Sequence, residues 1–245
     1  MKAGKMTLSP TNSAGGYLAS FPIFLGLRDR RCLVIGAGRV AAAKIDGLLL
    51  HGAQVEVVSP RAVREITDRE RAGEIVWHRR RFAPRDLRGK FLVVAATGSA
   101  PTNRSIFRAC AARHILCNSV DQPEHCHFFY PAVVRRGPLQ IAISTGGCSP
   151  TLAARLRREL EQQFGPEWGT WVEHLGELRK EILAQPVTPA TRRRRLRRIT
   201  TPEAFRAFLG ADNRPTGAAA GDTRNQLKPR PMRRGRSPLS ATPTR

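Results

Sequence analysis

Three short clusters hold the residues best suited to chemistry. The first is Gly36-Ala37-Gly38-Arg39-Val40-Ala41, which fits the spacing GxGxxG/A with Ala41 in third place. Gly36 permits a tight turn, Gly38 lets backbone approach a pyrophosphate, and Ala41 allows a helix to lie close on a strand. A helix opening there presents free N–H groups and its positive dipole end to phosphates. The second cluster is Asn118-Ser119-Val120-Asp121-Gln122-Pro123 followed by His125-Cys126-His127-Phe128-Phe129-Tyr130-Pro131. Asp121 there could act as a general base or a metal-facing carboxylate. Against that, Asp shortly before Pro also initiates turns. On extended backbone His125 and His127 share a face, as a metal pair would, although a spacing of two is common by chance. The third cluster is Ser144-Thr145-Gly146-Gly147-Cys148-Ser149-Pro150, where Thr145-Gly146-Gly147 is either an anion-friendly turn or a plain capping turn.

These clusters need elements to position them. Cys32–Ile35 is a short apolar run that reads as a buried parallel strand, and Val40–His51 carries Ile45, Leu48 and Leu49 on one helical face. The glycines therefore follow a strand and open a helix, the context that turns a weak pattern into a dinucleotide site. The competing account is a glycine turn without a ligand. Val55–Val58 is the next strand, then a polar helix over 62–72, a strand over 75–78, a strand over 91–95, a helix over 102–113 and a strand over 115–117. Strands alternating with helices imply βαβ units and a doubly wound parallel sheet. The second strand ends in Ser59 rather than an acid that would hold the adenosine ribose. With Pro60 and Arg61 beside it, NADP stays open, because Arg can meet a 2′-phosphate. The plainer alternative is that Ser59 and backbone hold the ribose. Thr97 lies at the carboxyl edge of the sheet, where a cofactor would pass, or is simply a loop hydroxyl.

After Asn118 the pattern changes. Residues 139–143 alternate as a strand, and Ser149-Pro150 opens a helix with Ser149 as its N-cap. Leu152, Leu156, Leu160 and Phe164 keep a spacing of four along it. Further helices are expected over 168–183, 192–199 and 202–209. The first 19 residues read as a floppy extension without an apolar signal core. From Asn213 onward Pro, Gly, Arg, Ser and Thr dominate, as in a disordered basic tail.

Composition narrows the partners. No apolar run of about 18 residues predicts a membrane span. Five cysteines without a CxxC pair fit reduced thiols and a cytoplasmic setting. The net charge is +23, and residues 190–245 alone hold 15 Lys/Arg against 3 Asp/Glu. A basic remainder suits a small polyanion or nucleic acid, while compositional bias toward Arg is the plain alternative. No nucleic-acid reading module accompanies the Arg192–Arg198 run, so nucleic acid is not expected as the partner.

The order FPIFLGLRDRRCLVIGAGRVAAAK, then VVAAT, then NSVDQPEHCHFFYPAVVRRGPLQIAISTGGCSPTLAARLRREL resembles precorrin-2 dehydrogenase, the amino-terminal module of siroheme synthase. The resemblance covers roughly residues 20–210. It implies an α/β fold: a Rossmann-like parallel sheet over 20–113, a small α+β dimerisation domain over 114–165 and a helical domain over 166–212. It implies NAD-dependent oxidation of precorrin-2 to sirohydrochlorin by a homodimer. In some members it also implies insertion of ferrous or cobaltous ion, as a substrate, into sirohydrochlorin. Asp121 takes the family's acid/base position, Arg39 and Val40 its cofactor pair after the glycines, and Pro60 and Arg61 its contacts after strand two. Carboxylates of the substrate would meet Arg135, Arg136 and His127, with Thr145 and Gly146 at the glycine turn. A solvated turn is the equal alternative for the two arginines. His127 and Cys148 depart from the types often found in relatives, which leaves the iron chemistry open. The methyltransferase module of some relatives is not expected in so short a chain, and no resident metal is. The reading from another class is a dinucleotide-sensing Rossmann module without catalysis.

Overall fold

The computed structural model describes residues 20–212. The expected extension over 1–19 and basic tail over 213–245 lie outside the described residues. Two compact units divide the chain, one spanning Pro22–Phe129 and one starting at Tyr130.

The first unit is built on five parallel strands: β1 (Arg31–Ile35), β2 (Gln54–Val58), β3 (Ile75–His78), β4 (Leu92–Ala95) and β5 (Leu116–Ser119). Their order is β3-β2-β1-β4-β5, so the chain reverses direction across the sheet between β1 and β4. Helices α1 (Arg39–Leu50), α2 (Arg64–Arg71) and α3 (Ala100–Ala111) make three of the four crossovers, and a 3-10 segment, Pro84–Leu87, lies in the one from β3 to β4. The central strands are buried on both faces, which is why they read as continuous apolar runs. Cys32, Val34, Val55, Val57 and Val94 pack with Ala41, Ile45, Leu48 and Ile66 of α1 and α2. Leu33, Ile35, Val93 and Cys117 pack with Ile106 and Cys110 of α3.

The helices start where proline is harmless rather than after it. Ser99 caps α3 by accepting from the Thr102 N–H, and Pro101 sits in the first turn, where no N–H is missed. The helix expected from 102 therefore begins at Ala100. The same holds for α6 (Pro189–Arg198), capped by Thr188 and expected only from 192.

The domain boundary expected at 114 falls instead at 129/130. β5 pairs with β4 from Leu92↔Leu116 to Ala95↔Ser119, so it belongs to the first sheet. Beyond β5 the chain turns through a short 3-10 segment, Pro123–His125, and straps the open edge of β5. The His127 N–H donates to the Cys117 carbonyl at 2.7 Å, and the Asn118 side chain donates to the Phe128 carbonyl at 2.9 Å. An unpaired strand edge is a liability, and the strap covers it.

The second unit opens on an antiparallel ribbon, β6 (Ala132–Arg136) and β7 (Leu139–Ile143), in register from Ala132↔Ile143 to Arg136↔Leu139. β6 is an element that the sequence did not disclose, because Arg135 and Arg136 resemble turn residues. The turn is Gly137-Pro138: Gly137 takes φ +51°, and Pro138 cannot follow it into positive φ. That combination selects a type II′ hairpin. Next come α4 (Pro150–Gln163), α5 (Glu167–Ala184), α6 and α7 (Pro202–Asp212). On α4 the four-spaced stripe is not the buried one: Leu152 is exposed, Leu156 and Leu160 are half-buried, and Ala153 is buried. The bulk lies in an aromatic cluster, where Trp168 and Trp171 of α5 meet Phe205 of α7 at 4.6 and 5.6 Å between ring centres.

One ionic knot ties the sheet at β2. Glu56 accepts from Arg31 at 3.1 Å, from His78 at 3.2 Å and from Lys90. Burial pushes its carboxyl up, but bonds from Lys90, Arg31 and His78 outweigh that and hold it below its ordinary value. Glu56→Gln is expected to cost about 2–3 kcal/mol, because Lys90, 4% exposed, loses its counter-charge. Since the folded carboxyl titrates lower than the unfolded one, this stabilisation is present above the unfolded value of about 4.3. It is lost as pH falls through the folded value. Thermal melts of both proteins at neutral and acid pH should show a gap that narrows in acid; superimposed melts at neutral pH would refute the assignment.

Candidate active site

The carboxyl edge of the first sheet gathers most of the residues singled out by sequence. Register places Ile35, Val58, Ala95 and Ser119 in one row, so Gly36, Ser59, Ala96 and Val120 form the next row along that edge. Ala37-Gly38, Pro60-Arg61, Thr97 and Asp121 follow directly. Open α/β sheets bind ligands at this edge, where the strand order reverses.

Gly36 is required by the turn itself. It sits at φ +104°, and a Cβ there would collide with the Ala96 carbonyl oxygen. Gly38 differs: its backbone is extended, and a Cβ would meet no protein atom within 4 Å. Packing inside the protein therefore does not demand glycine at 38, whereas close approach of a ligand would. Gly38 is the N-cap of α1 and makes no side-chain cap, and no acid lies in the first turn. Arg39 is exposed and Val40 is 51% exposed at the same tip. An uncapped helix end with an apolar side chain beside it suits a pyrophosphate and the ring that follows.

The loops beside this turn are fixed by hydrogen bonds. The Ser59 hydroxyl donates to the Arg61 carbonyl at 2.7 Å, and the Ser59 carbonyl accepts from the Trp77 indole at 2.9 Å. Pro60 and Arg61 are exposed beyond it. After β4, Asn103 was missed by sequence reasoning. Its side chain, 3% exposed, accepts from the Thr97 N–H at 3.2 Å and donates to the Thr97 carbonyl at 3.2 Å. The Thr97 hydroxyl lies 2.6 Å from the same amide oxygen. One amide thus holds both backbone groups of Thr97. Asn103→Leu is expected to cost about 1–3 kcal/mol, the usual penalty for buried backbone groups left unpaired. It should weaken dinucleotide affinity several-fold with little change in the rate at saturation. Melting and cofactor titration of one preparation check this, and unchanged values on both would refute it.

Asp121 is exposed in the turn after β5, at φ +60°. Asp and Asn adopt this left-handed conformation more readily than most residues. Its electrostatic neighbour is Lys44 of α1, which the sequence did not flag. Burial lowers the Lys44 ammonium from its ordinary value, and the Asp121 charge partly restores it. A half-buried cation and an exposed carboxylate therefore lie within electrostatic reach of each other at the end of the sheet that carries the glycine turn.

The two histidines are not a pair on extended backbone. His125 closes the 3-10 segment, and Phe107 of α3 packs against both rings, at 5.3 Å from His125 and 4.8 Å from His127. The His127 Nδ1 accepts from the Cys117 N–H at 3.1 Å, so a neutral ring carries its proton on Nε2. No group of three or more His, Cys, Asp or Glu able to hold a metal occurs among the described residues. The five cysteines are unpaired thiols.

In the second unit the glycine turn is ordered locally. Gly146 and Gly147 take φ +61° and +84°, the Thr145 hydroxyl accepts from the Ser149 N–H at 3.1 Å, and Ser149 caps α4. Arg136 has its own work: it donates to the carbonyls of Phe164 at 2.7 Å, Glu161 at 2.8 Å and Arg135 at 2.9 Å. It thereby satisfies the last carbonyls of α4. Arg135 is exposed.

Comparison with known proteins agrees with this layout. A family model for NAD(P)-binding domains matches residues 23–132, and the model for the central domain of sirohaem biosynthesis proteins matches residues 136–163. Siroheme synthase 1 of Pectobacterium atrosepticum is 41% identical over 173 residues, which are 71% of this chain and 36% of that protein. Siroheme synthase of Nitrosospira multiformis is 37% identical over 196 residues, 78% of this chain and 42% of that protein. The chain thus spans well under half the length of these relatives. A solved structure titled SirC, precorrin-2 dehydrogenase, superposes with a TM-score of 0.67 at 28% identity, over 78% of this chain and 98% of that one.

Proposed function

The chain belongs to the siroheme synthase family, and on that premise we propose that it oxidises precorrin-2 to sirohydrochlorin with NAD as electron acceptor. The observation that carries this reading is one edge of one sheet. It brings together an uncapped helix end at Gly38, the clamped loop at Thr97 and the carboxylate of Asp121 facing Lys44.

The cofactor is of the nicotinamide dinucleotide type. Gly36, Gly38 and the first turn of α1 would hold its pyrophosphate; Ser59, Pro60 and Arg61 would meet the adenosine ribose; Arg39, Val40 and Thr97 would flank the rest. When bound, the nicotinamide supplies the hydride acceptor for the two-electron oxidation. Asp121 takes up the proton that leaves with the hydride, or orients the macrocycle so that its own proton faces that carboxylate. Lys44 of α1 sets a half-buried cation within electrostatic reach of that carboxylate. A tetrapyrrole rich in carboxylates is drawn to a strongly basic chain. Arg135, Thr145, Gly146 and the exposed edge of His127 are the contacts proposed for those carboxylates. Arg136 acts through the ribbon that it fastens to α4.

On the same proposal the enzyme works in the cytoplasm as a homodimer assembled through its second unit. Only Val134, Ala153, Trp171 and Ile182 among its described apolar side chains are buried, and a two-stranded ribbon is marginal alone. No helix among the described residues is long and apolar enough to cross a membrane. Sedimentation at micromolar concentration should give twice the chain mass; a monomer would refute the dimer.

The deciding assay mixes the purified full chain with precorrin-2 and NAD, then NADP, and follows absorbance. NADH should form in step with sirohydrochlorin. Cofactor binding without turnover on either nucleotide would make the chain a dinucleotide-sensing module instead. Adding ferrous or cobaltous ion to the product then tests metal insertion.

A further inference from the structure

We infer that the amino-terminal edge of the first sheet holds a second anion site, suited to the di- or triphosphate group of a small molecule. A cavity of about 510 Å³ lies there. Its walls come from the 3-10 segment Pro84–Leu87, the Arg88-Gly89-Lys90 turn before β4 and the Arg113–Ile115 turn before β5. The dinucleotide edge is at the opposite ends of these strands, so this cavity is not part of it.

The lining carries Arg85, Arg88, Lys90 and Arg113 and no carboxylate. The acids nearby are already committed. Asp86 takes two bonds from Arg80, at 2.6 and 2.8 Å. Glu56 takes Lys90, Arg31 and His78. Arg85, Arg88 and Arg113 form no ion pair among the described residues, whereas Arg64, Arg69 and Arg71 of α2 all do. Arg113 donates to the Ala109 carbonyl at 2.9 Å through one nitrogen, which leaves further N–H groups of its fork. Guanidiniums that share a cleft repel one another unless an anion joins them. Their planar forks fit phosphate oxygens two at a time. Gly89 takes φ +67° and adds no side chain, while Pro84, Leu87 and Ile115 give an apolar floor.

The test uses the full chain carrying Gly38→Asp, which removes the phosphate site at α1. Calorimetric titration with tripolyphosphate, ATP and citrate at low salt should show one site per chain, with citrate the weakest ligand. Equal affinity for tripolyphosphate and ATP assigns the site to the phosphate chain alone; tighter ATP binding assigns it to a nucleotide. Arg88→Ser with Arg113→Ser should weaken binding by roughly tenfold or more, as lost charged hydrogen bonds do. Arg88→Lys, which keeps charge but not the fork, should weaken it less. Absence of binding at millimolar tripolyphosphate would overturn the site. So would binding that the double variant leaves unchanged, because it would then reside on another basic surface.

Discussion

Asp121→Asn is expected to lower the dehydrogenase rate by roughly a hundredfold or more, in line with general-base contributions, and to leave dinucleotide affinity nearly unchanged. Asn fits the left-handed turn at φ +60° as well as Asp does, so the backbone after β5 has no reason to move. What disappears is the charge that faces Lys44. Burial already lowers that ammonium and Asp121 partly raises it, so the variant leaves Lys44 lower still. Any alkaline limb of the rate that reports Lys44 should therefore shift to lower pH. The competing account makes Asp121 a turn former ahead of Pro123, and it predicts a lower melting temperature with a near-normal rate. Melting temperature, cofactor affinity and rate on one preparation separate the two. A stable variant that binds cofactor and turns over normally would remove Asp121 from the mechanism.

Gly38→Asp should abolish measurable dinucleotide binding, with a loss of at least roughly a hundredfold from like-charge repulsion and blocked approach. The fold should survive, because a Cβ at 38 meets nothing within 4 Å and the extended backbone there suits any residue. Asp is also a better N-cap than Gly by a few tenths of a kcal/mol, so melting should stay level or rise. Gly36→Ala makes the contrast, since its methyl meets the Ala96 carbonyl at a φ that side chains avoid. That protein should lose stability itself. Unaltered cofactor affinity in a folded Gly38→Asp protein would sink the site.

Local signals of short range were legible in the chain. The strand before Gly36, the helix after it and the Ser149 cap all announce themselves within a few residues, and the structure places them so. Partners set by the sheet were not. Nothing near Asn103 says that its amide will clamp Thr97, and Lys44 meets Asp121 only because α1 begins and β5 ends at one edge. The arginine pair shows the same gap: Arg136 reads as turn or substrate contact until α4 ends beside it. The hairpin, by contrast, was available in Gly137-Pro138 between two apolar runs, and the charged residues before it masked the signal.

Every hydrogen bond of the five-stranded sheet is made within a stretch that ends at Ser119, and the strap that covers β5 ends by Phe128. The chain is made from its amino end at about 5–20 residues per second. The cofactor-holding half therefore needs nothing translated later, and it has on the order of ten seconds to fold while the ribosome makes residues 130–212 of the second unit. β1, made first, lies in the centre and waits only for β2 and β4. A nascent chain of this kind can bind its dinucleotide before the second unit exists, and the ligand would then secure the first half against the cell's proteases during synthesis.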